Sequence, residues 1–286
     1  MADFDERRSD DYIGSFAIIA DPQFGLLKPE QNDWSVEKTL LDNTISAINA
    51  LNEQPSFVAF VGDLTHAEPF TSEKQAQIQD FFSCVRNLRA RPLFLCGNHD
   101  IGDRPTINSL RAYRQSFGSD YYSIDQLDSK FIFLNSQLFF GYRDFVDESA
   151  MQWTWLTDLC NSVFVLPYRH VVVLQHVPPF VESLKEAPKP IRNNDMTFNL
   201  PDVNIRLNLL GKLGAVGVRQ IFCGHLHRNA IAEDADFQVV VTNSTTSVAN
   251  NGYRLVRVYK EHITHRYIPV PSNNLPTPPA TFPPIQ

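Results

Sequence analysis

Apolar, β-branched runs recur along this chain, and a small polar cluster follows each one. The runs cover residues 16–20, 57–61, 92–96, 171–175 and 220–223. The clusters behind them read Asp21-Pro22-Gln23, Gly62-Asp63, Gly97-Asn98-His99-Asp100, His176 and Gly224-His225-Leu226-His227. Short apolar runs that stop at turn residues predict buried strands. Between them the apolar spacing changes to that of a helix. Residues 36–53 carry Leu40, Leu41, Ile45, Ile48 and Leu51 at helical intervals, and residues 73–89 do so with Ile78, Phe81, Phe82, Val85 and Leu88. Further helices are predicted over 107–117, 149–162 and 200–213, and further strands over 121–124, 131–135, 237–242, 255–259 and 263–267.

The first half alternates strand and helix, which predicts a parallel sheet of βαβ units. The last part is mostly strand and predicts an antiparallel addition. An α/β fold of two stacked mixed β-sheets flanked by α-helices satisfies both halves. One domain over residues 15–268 is expected, between a flexible segment 1–14 and a Pro-rich tail 269–286. The loop 186–199, with Pro188, Pro190, Asn193 and Asn194, directly follows the His176 strand and reads as a substrate wall.

Composition narrows the function classes. The chain has 286 residues and a net charge of −7, with no basic stripe, so a nucleic-acid polymer is not the expected partner. No stretch is long and apolar enough to span a bilayer, so no membrane is expected. The polar, acidic start does not read as a secretory leader. The four cysteines, Cys84, Cys96, Cys160 and Cys223, form no CxxC pair; Cys96 and Cys223 lie inside apolar runs and read as buried free thiols of a cytoplasmic protein, a disulfide being the disfavoured alternative. Phe occurs 21 times, which fits either a thick aromatic core or an apolar cleft wall. Trp34, Phe24 and Phe180 carry the same two readings, and Phe81-Phe82 reads as helix core.

The clusters carry the chemistry. Polar groups at the carboxyl ends of neighbouring strands converge on one rim, where open α/β sheets bind ligands. Oxygen donors mixed with imidazoles suit first-row divalent cations. A two-metal hydrolytic site needs a bridging ligand, and a carboxylate with two oxygens suits that place. Asp63 is the candidate, since Gly62 lets the backbone pack close to the ions. Each residue also has a plainer reading: Asp21 starts a turn, Asp63 caps a helix, His176 is a satisfied rim histidine. Those readings leave unexplained why all of them follow strands together. His225 and His227, two apart, are expected to share one face of an extended segment.

The ordered set Asp21-x-Gln23, Gly62-Asp63, Gly97-Asn98-His99-Asp100, His176 and Gly224-His225-x-His227 resembles the motifs of the calcineurin-like metallophosphoesterases. The stretches 20–26, 117–123, 134–137 and 224–230 resemble a narrower group within that family, cytosolic serine/threonine protein phosphatases. The resemblance implies the calcineurin-like phosphoesterase fold, an α/β/β/α sandwich, and two divalent ions drawn from Mn, Mg, Fe or Zn. It implies that Asp21, Gln23 and His227 hold the first ion, that Asn98, His176 and His225 hold the second, and that Asp63 bridges. It implies a metal-bridging hydroxide that attacks phosphorus, His99 protonating the leaving group, and Asp100 orienting His99. The substrate would be a phosphoprotein or a small phosphoester.

Gln23 departs from the family, which mostly has histidine there. A neutral amide oxygen is a weaker donor than imidazole toward transition metals. His66 and Arg228 admit two readings each, as substrate-phosphate contacts or as ordinary loop and surface residues. Arg104, Arg192 and Asn193 lie in loops near the expected rim. The motif set does not separate a monoesterase from a phosphodiesterase or nucleotide hydrolase. A metal-bound interaction scaffold with weak or no catalysis is the alternative from another class. Oligomeric state leaves no mark in the sequence.

Overall fold

The computed structural model describes residues 10–141, 145–164, 166, 168–191 and 196–271. Arg192, Asn193, Asn194 and most of the segments 1–14 and 269–286 lie outside the described residues. The strands are β1 Tyr12–Ile19, β2 Phe57–Val61, β3 Arg91–Leu95, β4 Tyr122–Gln126, β5 Ser129–Leu134, β6 Val171–Gln175, β7 Gln220–Cys223, β8 Ala230–Asp234, β9 Phe237–Val241, β10 Gly252–Tyr259 and β11 Ile263–Pro269. The helices are α1 Ser35–Asn49, α2 Ser72–Val85, α3 Asn98–Ile101, α4 Ile107–Phe117, α5 Val146–Phe164 and α6 Val203–Ala215.

Two mixed sheets result. One runs β11-β10-β1-β2-β3 and the other β4-β5-β6-β7-β9-β8. In the first, β1, β2 and β3 are parallel, and β10 and β11 add antiparallel. In the second, β5, β6, β7 and β9 are parallel, with β4 and β8 antiparallel at the edges. The antiparallel strands are thus shared between the sheets, which the alternation pattern alone does not reveal.

The sheets stack on a buried layer that includes Phe16, Phe57, Phe131, Phe133, Leu174, Phe222, Val240 and Val256. Its rings interlock: Phe16 stacks on Phe57 at 5.0 Å and meets Phe131 edge-on at 5.0 Å. Two outer cores seal α1, α2 and α4 on one sheet and α5 and α6 on the other. Phe24, Phe81 and Phe180 are fully buried in these outer cores, so the frequent phenylalanines build packing layers.

Local chemistry sets the boundaries. Thr71 Oγ1 accepts from Lys74 N and starts α2. Asp202 accepts from the N–H groups of Asn204 and Ile205, so α6 begins at Val203, three residues later than its apolar spacing predicts. β1 begins at Tyr12, which pairs with Tyr259, so ordered strand reaches back into the segment expected to be flexible. β8 was not expected. Its sequence, AIAED, buries a single side chain, Ala232, and carries too little apolar signal.

Candidate metal centre

The parallel strands β1, β2, β3, β6 and β7 all deliver their carboxyl ends to one rim, where the polar clusters sit. Backbone bonds stitch the clusters together. Asp21 N donates to Gly62 O (3.3 Å), Gln23 N to Asp63 O (2.9 Å) and Gly224 N to His176 O (3.1 Å). Asp21, Gln23, Asp63, His225 and His227 all have positive φ, between 38° and 71°. Left-handed backbone costs a non-glycine residue on the order of 1–3 kcal/mol, and it persists only where the surroundings over-determine it. The structure therefore reaches the His225–His227 pair by a turn, β7 having ended at Cys223. The strand alternation expected from the two-residue spacing is not what brings the two rings together.

The polar atoms converge. Ligand atoms of Asp63, His176 and His225 lie within 4.8 Å of one another, and so do those of Asp21, Asp63 and His227. The two sets share Asp63. Asp63 Oδ2 lies 3.3 Å from His176 Nε2, and Asp21 Oδ1 lies 3.4 Å from His227 Nε2. Asn98 Oδ1 faces His176 Nε2 at 3.3 Å, because Asn98 Nδ2 is held by Asp103 Oδ1 at 2.7 Å. The other oxygen of Asp63 accepts from His99 N at 2.9 Å, which ties the carboxylate to the first turn of α3.

Outer partners fix the imidazoles. His176 Nδ1 is bonded to Val61 O at 2.8 Å, which leaves Nε2 facing the cluster. His225 Nε2 is bonded to Thr197 O at 3.0 Å, which directs Nδ1 inward. The loop after His176 therefore serves the cluster through a backbone carbonyl. That loop is knotted by buried Arg206, whose guanidinium donates to Leu184 O, Glu186 O and Leu200 O. Glycine is required where backbone meets the cluster. A Cβ on Gly97 would lie 2.1 Å from Asp63 Oδ1, and one on Gly62 (φ 91°) 2.5 Å from His176 Nδ1.

The electrostatics call for positive charge. Burial raises the Asp63 carboxyl, but attraction from His176 and His99 outweighs it and holds the group well below the carboxylate range. Burial lowers His176, yet Asp63 and Asp21 raise it to about 9. His225 is pushed down to about 3 by burial and by repulsion from His176. A proton on His176 thus stands in for a cation beside two buried carboxylates.

The donor set fits divalent ions. Carboxylates, an amide oxygen and imidazoles offer the ligands such ions take. Gln23 Oε1 is buried without a hydrogen-bond partner, an acceptor that protein groups leave open. Such an orphan is costly unless something positive reaches it.

Two of the candidate residues make contacts that the sequence did not indicate. Among the described residues, Asp100 makes no hydrogen bond to the His99 ring. Its carboxylate accepts from Leu64 N (2.9 Å), Thr65 N (3.2 Å) and Gly97 N (2.9 Å), so it braces the Asp63 loop against the Gly97 turn. His66 belongs beside the cluster: its ring lies 4.7 Å from that of His99, and Nδ1 is 3.3 Å from Gln23 Nε2. Burial and repulsion from His99 push His66 down to about 4. Arg228 is exposed.

Three buried polar residues escaped the sequence reading. Glu37 Oε1 accepts from Gly25 N (3.2 Å) and Leu27 N (2.8 Å). Gln77 Oε1 accepts from His66 N and Ala67 N, and Lys74 Nζ donates to His99 O at 2.8 Å. The signal was present: Glu37 precedes Leu40 and Leu41 on the apolar face of α1, and Lys74 and Gln77 precede Ile78 and Phe81 at helical spacing on α2. A polar residue on an apolar stripe near a helix start braces whatever loop lies above it.

The sequence profile of the calcineurin-like phosphoesterases matches residues 14–229. Human serine/threonine-protein phosphatase CPPED1 is 33% identical over 282 residues, spanning 93% of this chain and 88% of the human protein. The Danio rerio protein of that name is 32% identical over 277 residues, spanning 92% and 87%. A crystal structure of a dimetal phosphatase from Danio rerio superposes with a TM-score of 0.64 at 11% identity, over 90% of this chain and 96% of that one. Purple acid phosphatase PPD1 from yellow lupin seeds gives 0.63 at 13% identity, over 89% and 51%. The structural matches establish the shared two-sheet architecture, and the sequence matches carry descent. This chain belongs to the calcineurin-like phosphoesterase family.

Proposed function

We propose that the chain is a serine/threonine protein phosphatase that hydrolyses phosphate monoesters at a pair of divalent cations, with manganese as a working pair. Asp21, Gln23 and His227 hold one cation, Asn98, His176 and His225 hold the other, and Asp63 bridges them. The observation that carries this reading is that two sets of ligand atoms share the Asp63 carboxylate. The relatives named as serine/threonine-protein phosphatases support the substrate class. No described helix is long and apolar enough to cross a membrane, and all four cysteines are free and buried. Free thiols support a reducing compartment, the cytoplasm.

Bound divalent ions supply Lewis acidity and acidify coordinated water. The chain does the rest. Asp63 stays ionised because His176 and His99 face it. Val61 O and Thr197 O hold the two imidazoles in one tautomer each. His99 is only half-buried, with its main chain pinned by Asp63 Oδ1 and Lys74 Nζ. It is the group free to give a proton to the leaving alcohol, the step on which a serine or threonine ester depends.

The test is phosphate release from phosphoserine and phosphothreonine peptides with added Mn2+, beside bis-aryl phosphates and nucleotides. Turnover of the peptides, lost in Asp63→Asn, is expected. Preference for the diesters or nucleotides refutes the substrate class. No turnover of any substrate makes the chain an interaction scaffold.

A further inference from the structure

An amide differs from imidazole as a cation ligand in one respect: it can turn over. Rotation by half a turn replaces its acceptor oxygen with an NH2 group, which repels a cation. Gln23 therefore needs a partner that takes its donor end. That partner is present. Gln23 Nε2 lies 3.3 Å from His66 Nδ1, and Gln23 Oε1 is left buried without a protein donor. An NH2 group can only donate, so Nδ1 of His66 is the acceptor in this pair.

The position of His66 is itself fixed. Its N–H reaches Phe24 O at 3.0 Å and Gln77 Oε1 at 3.1 Å, and Ala67 N reaches the same Gln77 oxygen at 2.9 Å. Thr65 pairs with Phe24 in a parallel bridge, so the loops carrying Gln23 and His66 share one short ladder. The His66 ring leans on that of His99 at 34° between planes.

We propose that His66 is a positioning residue that locks the Gln23 amide with its oxygen toward the first cation. This rests on reading the rim as a two-cation centre. His66 touches neither substrate nor cation in this role. It acts through the rotamer of its neighbour, as outer partners of metal ligands do.

Two variants separate the hydrogen bond from the ring stack. His66→Phe keeps a ring against His99 and removes the acceptor. His66→Asn removes the ring and can place an amide oxygen near the site of Nδ1. Mn2+ binding to each, followed by electron paramagnetic resonance of the free ion, reads affinity and stoichiometry without turnover. Thermal melting of the metal-free proteins reports any change in fold. Wild type should bind two Mn2+. His66→Phe should weaken one site roughly 10–100-fold, the usual effect of losing an outer partner. His66→Asn should bind like wild type. The double variant with Gln23→Leu should bind no worse than Gln23→Leu alone, since both changes remove one interaction.

Wild-type affinity in His66→Phe overturns the proposal. So does a loss in His66→Asn that matches or exceeds the loss in His66→Phe, which shows that an acceptor at this position does not carry the effect, or independent losses in the double variant. Fewer than two Mn2+ on wild type removes the two-cation reading itself, and the proposal with it. That failure is visible before any variant is made.

Discussion

Gly97→Ala tests how tightly the bridging carboxylate is placed. Gly97 has φ −106° and ψ −173°, an extended backbone that alanine adopts freely. The substitution therefore adds one methyl group and no backbone strain. That methyl would sit 2.1 Å from Asp63 Oδ1, 2.5 Å from Asp63 N and 2.7 Å from His176 Nε2. Real contacts of this kind stay above 3.0 Å. The carboxylate or the turn must move by about 1 Å, and a displacement of that size at a reacting centre costs on the order of 10²-fold in rate. Overpacking adds about 1–3 kcal/mol of destabilisation. Asp63 cannot yield easily, because its two oxygens are held by His99 N and by His176. The assay pairs Mn2+ titration and kcat/KM on a phosphopeptide with urea unfolding of the metal-free protein. Weaker Mn2+ binding and a rate loss near 10²-fold are expected in a protein that still folds. Wild-type metal affinity and activity in Gly97→Ala refute the close approach of backbone and bridge.

Three other outcomes follow from the same geometry. His99→Ala should slow hydrolysis of a phosphoserine peptide by roughly 10²–10⁴-fold and an activated aryl phosphate much less; equal losses rule out a proton-donor role. Asp100→Asn turns a donor toward backbone N–H groups that now meet carboxylate oxygens, so urea unfolding should show a loss of about 1–3 kcal/mol; stability within about 0.5 kcal/mol of wild type returns Asp100 to a purely electrostatic part. His265 accepts from Arg254 Nη1 at 3.1 Å and pairs its other nitrogen with Gln238 Oε1, and burial with repulsion from Arg254 pushes it down to about 4. The unfolded chain binds that proton near its ordinary value of about 6.5, so stability contributed here is present above that pH and is lost as pH falls toward about 4. A ring titration by NMR with its midpoint near the ordinary value contradicts this.

The reading of His225 and His227 shows where sequence reasoning stops. Their spacing suggests alternation on a strand, and the rings do reach one centre. They reach it because the chain turns through two left-handed residues, which no periodicity reports. Asp100 is the second case. The family resemblance implies that it orients His99; that its carboxylate also accepts from Leu64 N and Thr65 N, some 36 positions away, no local pattern reports. His66 is the third. One histidine in a loop carries no signal of its own, and only the pairing of the 23–24 and 65–66 segments puts it against Gln23.

The sequence alone determined the types of the strongly patterned elements, the places where the strands that carry the site end and the kind of donor waiting there. Those properties follow from local burial and side-chain chemistry, which repeat at intervals of a few residues. The tertiary structure alone decided which donors share an ion site, since His225 N and the Asp21 carboxylate meet across 204 positions. It also decided which nitrogen of each imidazole faces inward and which backbone adopts positive φ. Such choices arise when distant loops close on one another, where contact depends on the path of the whole chain and no longer on its immediate neighbours.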